Sequence, residues 1–346
     1  MKHFIVILLA SCLISLYGCS STQQHNINDE NTIGIIETKN DSEESRILFY
    51  DENLNLQSEL DIEYASVNSI FYNPVIKNDS LFLIPKGIIN KKTNKEIIEL
   101  CLNTAETTSY SINQPAINSV AVNNEYLFTC NTLNDITYIS RYTFDSDEIK
   151  LIQIKNQYVS FITVSNNKLY AFSSTMDNKY STISCFDSDL NFLFETDCTE
   201  LGTGVYQSAE YNEYLYFSVL YPYNSKTSNQ IGRLNTETNE FEIISTEVDK
   251  PFGLQRYENT LVITHYDIVN RANTSSISLV NLETNKITTH SFNHGAEQVT
   301  VVNGKIYVLS KEKIYCYSLD DWSLLKTTEI KKDNQDFSYI TGIFAV

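Results

Sequence analysis

The amino-acid sequence predicts an all-β protein in which seven four-stranded antiparallel sheets close into a ring. Two observations support this prediction. One turn-and-strand motif recurs along nearly the whole chain at intervals of 43 to 48 residues, and the last residues supply a strand that the first repeat lacks. The composition agrees, because 23 Tyr and 17 Phe stand against only 10 Gly and 5 Pro, and aromatic residues suit a half-buried pleated surface.

The first recurring unit is an Asn-rich turn followed by an apolar strand. Examples are "NDSLFLI" at 78, "NNKLYAF" at 166 and "NGKIYVL" at 303. A fixed period of this length is the sequence signature of a repeat architecture. The first apolar residues of the seven copies are Ile33, Leu81, Tyr126, Leu169, Leu215, Leu261 and Ile306.

A second unit lies between these copies and consists of a strand, an Asn/Asp/Thr turn and another strand. It occurs as "FYDENLNLQ" at 49, "CFDSDLNFL" at 185 and "RLNTETNEF" at 233, among seven copies. Two interleaved hairpins in each period give four strands, which is the blade of a β-propeller.

The ends of the chain predict how the ring closes. In the later copies the innermost strand precedes the Asn turn, as in "VNSIFYN" at 67 and "GVYQSAEYN" at 204, but the first copy has none. The segment "DFSYITGIFAV" at 336–346 supplies that strand from the opposite terminus. Pairing it with the strands after Asn31 removes two exposed sheet edges.

We therefore predict one seven-bladed β-propeller over residues 32–346. Two separate sandwiches, the alternative, would not produce a single period across the middle of the chain. The predicted blades span 63–112, 113–154, 155–198, 199–246, 247–292 and 293–330, with a shared blade built from 32–62 and 331–346.

The N-terminus predicts export. A charged start at Met1 to His3 is followed by an apolar run from Phe4 to Leu16, which is too short to span a bilayer, and then by Gly18-Cys19. Residues 1–18 are thus a predicted signal peptide. Residues 19–31 are almost entirely polar and are predicted to form a flexible tether. An ordinary signal peptide with an incidental cysteine is the alternative.

Two resemblances follow from these patterns. Residues 1–19 resemble the signal of bacterial lipoproteins, whose lipobox ends in Gly-Cys, and this implies a lipid on Cys19 and attachment to the outer side of the cell membrane. Residues 32–346 resemble bacterial seven-bladed propellers of the YVTN and quinoprotein-like, WD-repeat-like kind. The abundance of Ile, Asn and Lys favours a Gram-positive source.

The charge of the chain argues against a nucleic-acid partner. The formal net charge is −18, and removal of the signal peptide takes away Lys2 and no acid. Nucleic-acid binding requires a basic face that displaces counterions from phosphates. The acidic surface is instead typical of a soluble exported domain.

The cysteines and histidines predict no metal site and no cofactor. Cys101, Cys185 and Cys316 occupy the same place in the repeat, so they are predicted to be buried core residues; a link between Cys185 and Cys198 stays open. The "DSD" runs at 145 and 187 fit turns better than calcium loops. The histidines His265, His290 and His294 are too sparse for a zinc site, and the last two are predicted to be solvated in a loop.

The candidate binding residues lie in the loops after the second strand of several blades. In a propeller these loops share a face with the links between blades. Tyr and Arg in such loops are typical of recognition surfaces, because they combine a large contact area with a polar end. The candidates are Lys179, Tyr180, Tyr221, Tyr223, His265, Tyr266 and Arg271.

The sequence contains no nucleophile elbow and no phosphate-binding glycine loop. Our first hypothesis is therefore a membrane-anchored, non-enzymatic binding or scaffolding protein that recognises a protein, peptide or glycan. A propeller enzyme of the lactonase or quinoprotein dehydrogenase type is the second. It predicts His, Asp, Glu or Arg side chains that converge at one mouth of the channel, or a flat cavity there for a quinone cofactor. A purely structural assembly part is the third and predicts a broad apolar patch.

Overall fold

A computed structural model describes residues 31–40, 44–86, 88–89, 92–332 and 338–346. Within these residues the chain forms seven four-stranded antiparallel sheets and two short two-stranded ones. In chain order the strands are β1 (Ile33–Lys39), β2 (Ser45–Tyr50), β3 (Leu56–Ile62), β4 (Val75–Lys77), β5 (Ser80–Leu83), β6 (Ile88–Ile89), β7 (Lys92–Thr93), β8 (Glu96–Cys101), β9 (Thr107–Ser111), β10 (Ser119–Val122), β11 (Tyr126–Leu133), β12 (Ile136–Thr143), β13 (Ile149–Lys155), β14 (Gln157–Ser165), β15 (Lys168–Thr175), β16 (Ser181–Phe186), β17 (Phe192–Asp197), β18 (Gly202–Thr203), β19 (Ser208–Tyr211), β20 (Tyr214–Phe217), β21 (Tyr221–Pro222), β22 (Gln230–Asn235), β23 (Phe241–Ser245), β24 (Pro251–Tyr257), β25 (Thr260–His265), β26 (Ser275–Asn281), β27 (Ile287–Phe292), β28 (Gln298–Val302), β29 (Lys305–Ser310), β30 (Lys313–Ser318), β31 (Leu324–Glu329) and β32 (Ser338–Ala345). A 3₁₀ turn covers Ser225–Thr227.

The seven sheets are the blades of a propeller, as the sequence predicts. The first blade has the strand order β3-β2-β1-β32, and the others are β4-β5-β8-β9, β10 to β13, β14 to β17, β19-β20-β22-β23, β24 to β27 and β28 to β31. We number them blades 1 to 7. The small sheets β6-β7 and β18-β21 lie beside blades 2 and 5.

The predicted closure of the ring is confirmed. Strand β32 is the innermost strand of blade 1 and pairs with β1 from Ile33↔Ala345 to Lys39↔Ser338. Phe344 of β32 lies directly over Gly34, where an added Cβ would stand 2.1 Å from the ring. The two termini of the propeller are therefore joined by backbone hydrogen bonds and by a contact that only glycine allows.

The core is divided among the blade-to-blade interfaces. Seven of the buried clusters in the described residues each lie between adjacent blades, including the interface of blades 7 and 1. The inner strands are accordingly buried on both faces, as in β1, whereas outer strands such as β13 alternate between exposed and half-buried residues. Burial on two faces explains why the repeats read as short apolar runs.

The Asn-rich turns have a local explanation. Asn166 and Asn167 both adopt positive φ, as do Asn78 and Asp79. Two-residue hairpin turns with positive φ match the right-handed twist of their strands, and Asn and Gly tolerate that conformation best. The recurrent Asn pairs are therefore the hairpin turns of the blades.

One predicted strand is wrong. The innermost strand of blade 2 was expected at 67–73, but β4 covers only Val75–Lys77. Residues 69–74, which we call the channel plug, instead cross the central channel in an irregular conformation. Buried side-chain amides of other blades take up the hydrogen bonds that a neighbouring strand would otherwise make.

The channel plug is held by two equivalent glutamines. Gln298 donates from Nε2 to the carbonyl oxygens of Ile70 (2.9 Å) and Tyr72 (2.8 Å), and Gln207 donates to that of Phe71 (3.0 Å). The amide oxygens of both glutamines accept from the inner strand of the next blade. Tyr72 also donates to Ser160 O at 2.9 Å and Asn73 to Leu254 O at 2.8 Å, so the plug is hydrogen-bonded to blades 4, 5, 6 and 7.

The cysteines and histidines partly follow the predictions. All five described cysteines are free thiols, Cys185 and Cys316 are buried, and Cys101 is half-buried. The expectation of solvated loop histidines is wrong. His290 lies in β27 and stacks on Trp322, and His294 is half-buried against Tyr315 because aromatic neighbours line both sites.

Candidate binding face

One face of the ring carries the links between blades together with the loops after each second strand. We call it the top face. The strand order of every blade places these segments at the same end of the sheets, since consecutive strands are antiparallel. All the candidate residues of the sequence analysis fall in elements that end at this face.

Four of the candidates come together in one depression between blades 4 and 5, which we call the tyrosine groove. Its volume is about 580 Å³, and its lining includes Lys179, Tyr180, Tyr221 and Tyr223. The three tyrosines are exposed by 61, 56 and 62 % respectively. Such a concentration of exposed aromatic side chains is what recognition surfaces present.

The tyrosine groove rests on a rigid support. The short sheet β18-β21 pairs Thr203 with Tyr221, and the backbone N–H of Tyr223 donates to Leu201 O at 3.1 Å. Gly202 has φ +133°, and an added Cβ would lie 2.2 Å from Tyr221 O. Only glycine therefore allows the two segments to approach, and the tyrosines are displayed in fixed positions.

The loop that carries Lys179 is also ordered. Lys179 pairs with Asp177 at 2.8 Å, and this pairing together with the Thr175 hydroxyl lowers the pKa of Asp177 to about 2. The backbone N–H groups of Lys179 and Tyr180 both donate to Thr175 Oγ1. The second wall of the groove is thus shaped by a hydrogen-bonded turn.

A smaller apolar pocket adjoins the groove on the other side of Pro222. It measures about 170 Å³ and is lined by Val219, Leu220, Phe252 and Val269, among others. Apolar cavities of roughly 150 Å³ bind a molecule the size of benzene. At its mouth Lys250 pairs with Asp267 at 2.6 Å. The apolar pocket therefore has room for one large apolar side chain under a polar rim.

Two of the candidates lie beneath the face instead of on it. His265 is 5 % exposed, and its ring nitrogens contact Asp249 O at 3.3 Å and Ser278 Oγ at 2.9 Å. Burial lowers the pKa of His265 to about 4. Tyr266 is 3 % exposed and packs with Phe252 as the floor of the apolar pocket. Both residues support the surface without contacting solvent.

Arg271 reaches the top face but in a separate cavity. This cavity lies between blades 6, 7 and 1, has a volume of about 560 Å³ and contains Glu297 and Lys311 as well as Arg271. We call it the charged pocket. Glu297 was not singled out by sequence reasoning, because nothing in the residue pattern of a single repeat shows that its carboxylate is buried.

A small cavity lies beside the channel plug. The cavity beside Tyr72 and Phe161 measures about 20 Å³, which is room for about one water molecule. The described residues contain no group of three or more His, Cys, Asp and Glu placed to hold a metal ion. In the same part of the chain, no helix is long and apolar enough to cross a membrane.

The fold is a seven-bladed β-propeller, and comparison with known proteins agrees on this fold. A functionally unknown protein from Desulfotomaculum acetoxidans superimposes with a TM-score of 0.62 and 14 % identity, over 91 % of this chain and 98 % of that one. Apo AztD from Citrobacter koseri superimposes with a TM-score of 0.56 and 8 % identity, again over 91 % of this chain and 98 % of that one. The Neurospora crassa Pan2 WD40 domain superimposes with a TM-score of 0.53 and 8 % identity, over 82 % of this chain and 87 % of that one.

At these identities the likeness concerns the fold alone. No family model matches the chain, and no curated protein matches its sequence. The propeller fold is consistent with a binding or scaffolding role, and any finer function must be argued from the top face.

Proposed function

We propose that this chain is a lipid-anchored, extracytoplasmic binding protein that recognises a polypeptide segment of a partner through the top face. The observation that carries the proposal is the tyrosine groove with the apolar pocket directly beside it. Both are preformed, so little conformational entropy is lost on binding.

The combination of the two depressions favours a polypeptide over a glycan. An extended peptide lies along an aromatic groove and places one bulky apolar side chain in a neighbouring pocket, whereas a sugar chain has no such side chain. Tyr is enriched in protein interfaces because its large ring contributes area while its hydroxyl stays hydrogen-bonded. The Lys250–Asp267 pair at the pocket mouth provides the polar rim that such sites have.

The membrane attachment rests on the N-terminal sequence. Cys19 and the whole segment 1–30 lie outside the described residues, and the Gly18-Cys19 pair supports lipidation at Cys19. Radiolabelled palmitate fed to producing cells should label the protein. Cys19→Ser should abolish the label and release the protein from the membrane fraction, while Cys12→Ser should change neither. Equal labelling of both variants would contradict the anchor.

Peptide display on the purified full-length protein tests the recognition. Selected peptides should share a bulky apolar residue, and their affinity should fall at least tenfold in the double variant Tyr221→Ala, Tyr223→Ala. Phe192→Ala is the matched control, because Phe192 is 60 % exposed on the outermost strand of blade 4, away from the groove. A cell-wall glycan that bound in a Tyr221-dependent way, without any selected peptide, would overturn the proposed class of partner.

A further inference from the structure

The charged pocket contains a buried carboxylate, one oxygen of which accepts no hydrogen bond. Glu297 is 2 % exposed, and its Oε2 accepts a hydrogen bond from the Lys311 backbone N–H at 3.1 Å. Its Oε1 accepts no hydrogen bond, and Arg271 Nε stands 3.8 Å away. A buried carboxylate oxygen without a donor costs free energy, so this arrangement calls for a partner.

Arg271 does not supply that partner. At 3.8 Å its Nε is beyond hydrogen-bond distance, and its side chain is 55 % exposed. Burial raises the pKa of Glu297, and the nearby Arg271 guanidinium opposes that shift. Glu297 Oε1 therefore retains an acceptor position without a hydrogen-bond donor among the described residues.

Around Glu297 the charged pocket carries four basic side chains and one further carboxylate, that of Glu312, although the whole chain is acidic. Lys311, Lys313 and Lys332 line it together with Arg271. Lys313 and Lys332 pair with Glu329 and Glu312, whose side chains are 78 and 60 % exposed. Exposed pairs of this kind are weak and exchange readily with another anion. The pocket thus combines one buried hydrogen-bond acceptor, the Glu297 carboxylate, with several cationic donors around it.

The wall between these groups is a fixed aromatic surface. The rings of His294 and Tyr315 stack with centroids 3.8 Å apart and planes 5° from parallel. The imidazole Nε2 contacts the Tyr317 hydroxyl at 2.7 Å, and Nδ1 contacts Gly295 O at 2.7 Å. With both nitrogens engaged, His294 is held in place and forms a flat side of the cavity.

We propose that the charged pocket binds a small zwitterion, either a free amino acid or a dipeptide with both ends unblocked. The ligand's ammonium group donates to Glu297 Oε1, and its carboxylate accepts from Arg271 and the lysines. A volume of about 560 Å³ suits a ligand of that size. A plain anion would place negative charge against Glu297, and a plain cation would meet four basic side chains. This site is independent of the tyrosine groove.

Calorimetry on the purified full-length protein tests the proposal with defined probes. These are a pool of the twenty L-amino acids, a pool of random dipeptides, and the same dipeptides N-acetylated or C-amidated. We expect binding of at least one unblocked pool with a Kd below 1 mM, and at least a tenfold loss with either blocked pool. Binding of acetylated dipeptides as tight as unblocked ones, binding of sulfate alone, or no binding to any pool would overturn the proposal.

The variant Glu297→Gln identifies the site. It should lose at least tenfold in affinity while its thermal unfolding temperature stays equal or rises, because a buried charge that Arg271 compensates only at 3.8 Å is removed. Glu242→Gln on blade 5 makes the same change of charge away from the pocket and should leave affinity within twofold. Unchanged affinity in Glu297→Gln would contradict the assignment, and Tyr221→Ala, Tyr223→Ala should leave zwitterion binding intact.

Discussion

His265 is kept neutral inside blade 6. It closes β25, and the carbonyl of Asp249 and the hydroxyl of Ser278 occupy its two ring nitrogens. An imidazole in this position is a hydrogen-bonding core residue, and protonation would place an uncompensated charge among buried groups. The pKa of about 4 expresses that penalty.

The acid stability of the protein should depend on His265. Its pKa is about 4 in the folded state and ordinarily 6.5, so the unfolded chain binds more protons between these values and stability is lost as the pH falls through this window. The full effect is up to about 3 kcal/mol. Denaturant unfolding at pH 7, 5.5 and 4 should show a smaller loss for His265→Gln than for the unaltered protein. His290→Gln is the control, and identical acid profiles for all three would contradict the account.

The single residues also show where sequence reasoning succeeds and where it fails. Tyr221 follows the second strand of blade 5 and His265 is the last residue of the second strand of blade 6, so the repeat places both near the top face. Whether a side chain then points outward depends on the local path of the loop, and β18-β21 turns Tyr221 outward while β26 covers His265. A repeat pattern predicts the end of a strand but not this path.

Among the elements, the channel plug differs most from the repeat pattern. Its segment "SIFYNP" has the apolar content of a strand, yet its hydrogen-bond partners are glutamines from blades far away in the sequence. Gln207 and Gln298 stand at equivalent positions, each eight residues before the first apolar residue of its repeat. The sequence shows that equivalence, but not that a distant loop would use it.

Removal of Gln298 should loosen the plug. Gln298→Ala leaves two carbonyls, of Ile70 and Tyr72, and the N–H of Ile343 without partners in a buried site, which should lower the free energy of unfolding by about 3 kcal/mol or more. Urea unfolding measures this. Gln57→Ala, at an exposed position near the start of β3, should change stability by less than about 0.5 kcal/mol. A Gln298→Ala effect as small as that of Gln57→Ala would show that the plug does not depend on this contact.

On the scale of the whole molecule, the ring was the most predictable feature. A period of fixed length needs only local turn and strand chemistry, which Asn pairs and apolar runs record directly in the sequence. The closure followed because one strand was missing at the start and one was left over at the end. The division of the top face into a tyrosine groove and a charged pocket was not predictable, since each combines residues from two or more blades.

Truncation tests the closed ring. Loss of residues 336–346 removes β32, in which the side chains of Ile343 and Phe344 are only 2 and 3 % exposed. It also leaves the inner edge of β1 without a paired strand. The truncated chain should lose cooperative unfolding or melt far below the intact protein. A chain that lacks only residues 20–30 should melt normally. Equal melting temperatures for the truncated and intact chains would contradict a ring closed by the terminal strand.

Site-specific photo-cross-linking in producing cells is the most direct test of the top face as a recognition surface. A benzophenone amino acid would replace Tyr223 in the groove or, as control, the equally exposed Phe192 on the rim. The account predicts one discrete polypeptide adduct from position 223 that is absent at position 192 and lost when Tyr221→Ala is added. The same adducts from both positions, or an adduct at 192 alone, would contradict it.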